Sequence, residues 1–385
     1  MLQVAVDCVE EKGGIFKAVC NFQHALGGMA LSFTDPALMS QPGTTSILHV
    51  PVGGGPLARR YGIPRPEALR RCVEEHVRGI QLMVIHGMFR YHAQWAARFA
   101  RTAGVPYWVV PHGSLDPWVF SYRSIQKKTW MRLIGSRILR EAKSVIVTTA
   151  READKAAHFL AGCNAHVVRL PVQEAATSGR EEARLSVREQ LGIPTSARIL
   201  LFLGRLHPMK RVVETIEAVH KASQPDVHLV VVGPGSPELS VDDCRAHAHR
   251  LKTRNVHVVG PHFGAAKNRW LLSADGFISL SHRENFNYSA AEALYFGLPV
   301  ILSPGNDLAS EFSTCRAGWL LGSFALDEEI RAIREFGRLK MEELAAMGAA
   351  AARWASNNLS DAAFSTVLFQ LEEGTLARNR EHSSR

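Results

Sequence analysis

Short apolar runs alternate along this chain with longer segments whose apolar residues recur at helical spacing. In the first half, "LQVAVD" (2–7), "LMVIH" (82–86), "YWVVP" (107–111), "SVIVTT" (144–149) and "HVVRLP" (166–171) read as buried strands. Between them lie "YHAQWAARFARTA" (91–103) and "READKAAHFLAG" (151–162), which fit amphipathic helices. Apolar strands separated by helices predict a parallel, doubly wound sheet. The pattern lapses over "QEAATSGREEARLSVREQLGIPTSA" (173–197), which is rich in small, polar and turn-forming residues. A second strand series follows: "RILLFLG" (198–204), "DVHLVVVG" (226–233), "NVHVVG" (255–260), "DGFISL" (275–280) and "LPVILS" (298–303). Residues 326–377 are helical in pattern and give way to a polar ending, "RNREHSSR".

Two α/β, Rossmann-like domains in tandem are therefore expected, and 385 residues exceed what one hydrophobic core usually serves. The first spans 1–172 and the second 198–361, with 173–197 as linker and 362–385 expected to rejoin the first. Open α/β sheets bind ligands beyond the carboxyl ends of their strands, so two such sheets facing one another would enclose a cleft. Candidate residues should then lie just after strands.

Composition adds an asymmetry. The formal charge is +9, and residues 1–190 hold 24 Lys/Arg against 15 Asp/Glu while 191–385 hold 21 of each. The excess is concentrated in 121–143, which suits an anionic partner for the first half. One face of that segment carries Arg123, Lys127, Lys128, Arg132, Arg137 and Arg140; the other carries Trp130, Leu133, Ile134 and Ile138. It reads either as a helix packed on its own sheet or as a contact for anionic lipid. No helix-turn-helix, RRM or zinc signature supports a nucleic-acid reading. The six cysteines lack ligand spacing and read as scattered thiols of a reducing compartment; no secretion signal or bilayer-length apolar run is evident. A cytoplasmic protein, peripheral on the inner membrane face if the lipid reading holds, is expected.

The strand-end filter selects two stretches in the second half. In "FLGRLHPMKRVVETIEAV" (202–219), Arg205 follows a strand and Lys210 precedes a helix. Two cations at a strand end beside a helix N-terminus suit a pyrophosphate, although solvated surface charge is the ordinary reading of an Arg/Lys pair. In "SLSHRENFNYSAAEALYFGLPVILS" (279–303), Glu284 follows a strand and Glu292 lies eight positions on. Ser289-x-x-Glu292 matches a capping box, which accounts for Glu292 and leaves Glu284 unexplained. A carboxylate beside a helix N-terminus would repel a bare phosphate; it fits better against the hydroxyls of a sugar that the phosphate carries.

At these residues the chain resembles the retaining nucleotide-sugar glycosyltransferases of the GT-B fold, group 1 (family 4). "GRLHPMK", with "ENFNYSAAEALYFGLPV" about eighty residues on, is similar to that family's G-R-L-x-P-x-K segment and E-x7-E motif ahead of a G-x-P-V strand. The resemblance is strongest over 198–322. It implies a hexosyl transfer to a saccharide or lipid-linked acceptor, as in the synthesis of bacterial surface polysaccharides and glycoconjugates. Arg205 and Lys210 would hold the donor diphosphate, Glu284 the hydroxyls of the moving sugar and Glu292 the ribose. Backbone N–H groups of Asn285, Phe286, Asn287 and Tyr288 would meet sugar and phosphate oxygens. The family usually has glycine where this chain has Asn287; asparagine tolerates left-handed backbone, and its side chain is expected to alter which sugar fits.

In the first half, Gly13 and Gly14 of "KGGIFKAV" (12–19) open a helix after the first strand. They read as an ordinary turn or, by the resemblance, as the family's first glycine loop against the donor. His112 in "VVPHGSLDPW" (109–118) follows a strand, and the family places a histidine near the reacting centre in this segment. His86 in "VIHGMF" is similarly placed. The cluster Phe89, Tyr91, Trp95, Trp108, Trp118, Phe120 and Tyr122 reads mostly as core, with acceptor stacking as the alternative. No D-x-D pattern appears, so neither metal nor cofactor is expected, and charge on the departing phosphate would fall to Arg205 and Lys210. A nucleotide-sugar epimerase or a catalytically silent partner on the same fold are the alternatives. A dehydrogenase is disfavoured because "VGPGSP" (232–237) does not complete G-x-G-x-x-G.

Overall fold

The computed structural model describes residues 1–9, 13–38, 47–121, 123–172 and 178–383, side chains of 377–383 excepted. Lys12 of the glycine loop, Tyr122 of the aromatic cluster and residues 173–177 of the expected linker lie outside the described residues. The chain divides into two compact units, Met1–Pro171 with Asp361–Arg385, and Val172–Ser360.

The first unit is a seven-stranded parallel sheet of β1 (Leu2–Val6), β2 (Met29–Thr34), β3 (Ile47–Pro51), β4 (Met83–His86), β5 (Tyr107–Val110), β6 (Ser144–Val147) and β7 (Ala165–Val167). Its order is β3-β2-β1-β4-β5-β6-β7, so the strand order reverses between β1 and β4. Strands β2 and β3 escape a search for apolar runs because polar residues interrupt them. Ser32 and Thr34 are fully buried and bond each other at 2.8 Å, and Thr34 Oγ1 meets His49 Nδ1 at 2.8 Å. Their polarity is satisfied between strands rather than by water. The run expected over 166–171 pairs only as the short, largely exposed β7.

The helix Asp361–Ser383 packs on the helix Gly14–Leu26 of this unit. Phe364 meets Phe22 edge to face at 5.2 Å, worth about 1 kcal/mol beyond burial. The buried Trp108 Nε1–H donates to Thr375 Oγ1 at 3.0 Å, fixing the far end of the same helix. Sequence-distant residues thus complete the first core.

The second unit is a six-stranded parallel sheet of β8 (Arg198–Leu203), β9 (Val227–Val232), β10 (Val256–Gly260), β11 (Gly276–Ser279), β12 (Val300–Leu302) and β13 (Gly318–Leu320). Its order is β10-β9-β8-β11-β12-β13, with the reversal between β8 and β11. The supposed linker needs correction here. Residues Arg180–Leu191 form a helix that buries Ala183, Val187 and Arg188 and packs on the helix Gly264–Ser273. Arg188 donates to Ser273 O and pairs with Asp275 at 2.8 Å, which accounts for a charged residue that is 4% exposed. A polar exterior hid a helix with one narrow buried stripe.

Among the described residues no helix is long and apolar enough to cross a membrane. The six cysteines are unbridged thiols, with Cys8 and Cys244 buried.

Candidate functional site

In the second unit, the charged residues singled out from sequence follow the two strands at the reversal of sheet order, where doubly wound sheets bind ligands. The chain leaves β8 through Gly204, close under Gly233 of the β9 end. A Cβ on Gly233 would sit 1.8 Å from Gly204 O, so the glycine of "VGPG" serves backbone approach. Arg205 is exposed and makes no hydrogen bond or ion pair with a described residue. His207 Nδ1 then accepts from the Met209 N–H at 3.0 Å, capping the 3₁₀ turn Pro208–Lys210. That turn presents Lys210, whose ammonium pairs with Glu284 Oε1. The next residue has a different task. Arg211, 7% exposed, donates to Leu280 O at 3.2 Å and pairs with the fully buried Glu329, whose pKa burial raises and Arg211 opposes. Two neighbouring cations thus divide into one at the strand end and one in the core.

Glu284 is held from several sides. Its backbone N–H donates to Gly305 O at 2.8 Å, and its carbonyl accepts from Asp307 N–H at 3.0 Å. Ser281 Oγ–H donates to Oε1 at 2.9 Å, the oxygen that also meets Lys210. Gly305 lies so close under this loop that a Cβ would come 2.3 Å from Ser281 O. Ser281, Ser303 and Asn306 are buried and bonded into one network; Ser303 Oγ donates to Ser281 O at 2.6 Å and Asn306 Nδ2 to Ser279 O at 3.0 Å. A fully satisfied buried network fixes a loop more firmly than its pairwise bonds suggest.

Asn287 belongs to the same network. It adopts φ 50°, caps the helix Tyr288–Tyr295 by accepting from Ala290 N–H at 3.3 Å, and donates to Asn306 Oδ1 at 2.6 Å. The Ser289–Glu292 capping box does not form, because the left-handed Asn287 starts the helix two residues before Ser289. Asn287 also takes one first-turn N–H, and its side chain turns inward rather than towards a ligand. Phe286 is 4% exposed, so any ligand contact there is through backbone. Glu292, in the second turn, instead meets Lys267 Nζ at 2.7 Å. Lys267, Ser281 and Asn306 carry no signal in the sequence that ties them to these carboxylates.

In the first unit, Gly13 caps the helix Gly14–Leu26 at φ 72° and ψ −107°, a conformation that asks for glycine; Gly14 is exposed. His86 ends β4 and is 1% exposed. Its Nδ1 lies 2.9 Å from His112 Nε2 and its Nε2 lies 2.7 Å from Gln3 Oε1, while Gln3 Nε2–H donates to Val19 O at 3.0 Å. His92 Nε2 bonds His86 O at 2.7 Å. Burial pulls His112 and His92 down to about 4, and burial with both neighbouring imidazoles holds His86 well below the usual range. His112 is half-buried, with φ 51°, and its loop is gripped by Glu152. That carboxylate, 3% exposed, accepts from Gly113 N–H at 2.7 Å and Thr148 N–H at 2.6 Å. Of the aromatic cluster, Trp108 and Phe120 are core, Phe89, Tyr91 and Trp95 pack against it, and Trp118 is 54% exposed.

The basic segment forms the helices Ser124–Trp130 and Ser136–Glu141, joined by a π turn over Met131–Gly135. The wide turn shifts the helical phase, and Leu133, expected on the packed face, is 70% exposed; Ile125 is 82% exposed. Lys127 donates to Val119 O at 2.6 Å and Arg137 pairs with Glu141 at 2.6 Å, whereas Lys128 and Arg132 stand exposed. Arg60, from the helix Pro56–Tyr61, reaches Gln126 at 3.2 Å and extends the basic surface.

Comparison with known proteins follows the division into units. The sequence profile of glycosyl transferases group 1 matches residues 184–354, and that of the glycosyl transferase 4-like domain matches 32–173. A Bacillus subtilis protein named for teichuronic acid biosynthesis, TuaC, is 28% identical over 232 residues, 60% of this chain and 55% of that protein. A D-inositol 3-phosphate glycosyltransferase from Xylanimonas cellulosilytica is 30% identical over 184 residues, 44% of this chain and 43% of its own. The chain spans about half the length of these curated relatives. The structure of Anabaena Alr3699/HepE, in complex with UDP and glucose, superposes with a TM-score of 0.75 at 17% identity, over 97% of this chain and all of that one. With two Rossmann-like units and glycosyltransferase profiles that match both, the chain belongs to the group 1 (GT4-type) glycosyltransferases of the GT-B fold.

Proposed function

We propose that the protein transfers a hexosyl group from a nucleoside-diphosphate sugar to a hydroxyl of a saccharide or lipid-linked acceptor, with retention of anomeric configuration. The observation that carries this reading is the convergence of Lys210 with Glu284, one residue set beyond β8 and the other beyond β11. In the reaction the bond from the anomeric carbon to the phosphate oxygen breaks, the acceptor oxygen bonds that carbon, and the acceptor proton leaves with the diphosphate or solvent. Negative charge grows on the diphosphate, and Lys210 and the exposed Arg205 would stabilise it without a metal ion. Glu284, anchored through backbone and Ser281, would accept hydrogen bonds from hydroxyls of the moving sugar. Glu292 would do the same for the ribose, with backbone N–H groups of residues 285–288 at sugar and phosphate oxygens. By the family resemblance, Gly13, Gly14 and His112 would also be donor-site residues. Because HepE is described with UDP and glucose, UDP is the first probe. Thermal shift with UDP, GDP and ADP in EDTA, repeated on Glu292→Ala, tests the reading. A shift with one nucleotide that Glu292→Ala weakens is expected; no shift with any nucleotide at saturating concentration sinks it.

The acceptor reading has its own support. Exposed Ile125 and Leu133 amid Lys128 and Arg132 suit a peripheral contact with anionic lipid on the cytoplasmic face. Cosedimentation with phosphatidylglycerol vesicles should be retained at low salt and weakened by Ile125→Ser with Leu133→Ser. Equal sedimentation with neutral and anionic vesicles would refute the charge contribution.

A further inference from the structure

The hydrogen-bond chain ending at His112 has a direction, and its first link sets it. A backbone carbonyl only accepts, so the Gln3 atom 3.0 Å from Val19 O is the amide nitrogen. The Gln3 atom 2.7 Å from His86 Nε2 is then the amide oxygen, which also only accepts, and His86 carries its proton on Nε2. Reversing the amide would set two oxygens against each other in a buried place. His86 is 1% exposed and packed against other imidazoles, an environment that keeps it neutral with a single N–H. Its Nδ1 is therefore bare, and the proton in the 2.9 Å contact belongs to His112 Nε2. His112, itself neutral because burial lowers its pKa to about 4, is left with a lone pair on Nδ1. No described residue bonds that nitrogen, and His112 is a partly exposed residue rather than a fully buried one.

We propose that Gln3 and His86 are positioning residues that hold His112 as a neutral hydrogen-bond acceptor at Nδ1, able to receive a substrate hydroxyl and not to deliver a proton. The functional half of this statement rests on His112 belonging to the donor site; the direction of the chain does not. Glu152 supports the same outcome, since its grip on Gly113 N–H fixes the backbone on which His112 sits at positive φ.

The test is a two-bond proton–nitrogen correlation spectrum of the full chain labelled on histidine, near neutral pH and without ligand. His112 is assigned by the signals lost in His112→Gln. The expected pattern is His112 protonated at Nε2 and bare at Nδ1, with no averaging. A proton on Nδ1, on both nitrogens, or exchanging between them overturns the proposal. In Gln3→Leu, His86 loses its acceptor and can turn its proton towards His112, so a population of His112 with Nδ1–H should appear. If Gln3→Leu folds and His112 keeps its tautomer, Gln3 is not a positioning residue; if it does not fold, the wild-type spectrum still decides the direction. Turnover of UDP-glucose by Gln3→Leu should fall at least several-fold in kcat, with the UDP thermal shift unchanged. A fall confined to KM would overturn the functional half. Failure of UDP, GDP and ADP alike to stabilise the wild type would instead strike the transferase reading and leave the spectrum standing.

Discussion

The two sheets reverse strand order in the same way and treat charge there in opposite ways. At the end of β4 in the first unit the polar groups are Gln3, His86, His92 and His112, closely packed, and the imidazoles kept neutral by burial. In the second unit they are charged residues: Lys210 and Glu284 pair in the segments beyond β8 and β11, Lys267 and Glu292 pair between two helices, and Arg205 is exposed. The difference follows from exposure. A charge at a loop tip keeps part of its water and needs one partner; an imidazole sealed beneath a strand end does better neutral, with each N–H matched to an acceptor. One topology therefore carries a rim of charged residues in one unit and a set of oriented dipoles in the other.

The sharpest way to break this comparison is to remove the cations. On the proposed role of Lys210 at the donor diphosphate, Lys210→Ala should lower kcat with the nucleotide sugar whose nucleotide stabilises the protein by about two to three orders of magnitude, the usual cost of deleting a group at developing charge. It should also lower stability by roughly 1–3 kcal/mol, because Glu284, 11% exposed, keeps only Ser281. Arg205→Ala should likewise reduce kcat, yet leave chemical denaturation within about 0.5 kcal/mol of the parent. If both variants lose stability equally, Arg205 is structural and the contrast between a committed and an available cation fails.

Acid should expose the neutral side of the comparison. His92 titrates near 6.5 unfolded and at about 4 folded, because burial disfavours its charged form. Below 6.5 the unfolded chain binds the extra proton, so the stabilisation is whole above that pH and lost as pH falls through about 4. For His92 alone this amounts to about 3 kcal/mol. Urea denaturation across that window should show a steep fall in the parent and a shallower one in His92→Asn. An unchanged slope would mean that His92 takes up its proton as readily in the folded chain as in the unfolded one.

How much of this the sequence announced depends on how local each feature is. Strands β8 to β12 are continuous apolar runs and could be read directly, as could the placement of Arg205, Lys210 and Glu284 in segments that follow strands. Strands β2 and β3 could not, since Ser32, Thr34 and His49 satisfy one another only once the sheet has formed. The same limit hides Lys267, 25 positions before Glu292, and Ser281, whose bond to Glu284 needs the loop closed by Gly305. Leu133 fell on the wrong face because a π turn adds a residue to the helical count. Where a motif's meaning depended on backbone conformation, as with the capping box, spacing alone misled.

Asn287 allows the finest test, since the family usually places glycine there. Glycine adopts φ 50° without strain, which favours Asn287→Gly, and it serves as N-cap at a cost of only a few tenths of a kcal/mol. Against that, the buried Asn306 Oδ1 and Ser279 Oγ would lose the amide that reaches them at 2.6 and 3.1 Å. Ser279 Oγ can still bond Ser281 and Asn306, so one weakened acceptor remains, and a net loss of about 1 kcal/mol is expected. Because the side chain points into the protein, the ranking of UDP-glucose against UDP-galactose and UDP-N-acetylglucosamine as donors should not change. A variant with parental stability and a reordered donor preference would show the opposite: that the side chain faces sugar during turnover and leaves the Ser279–Asn306 network to do so.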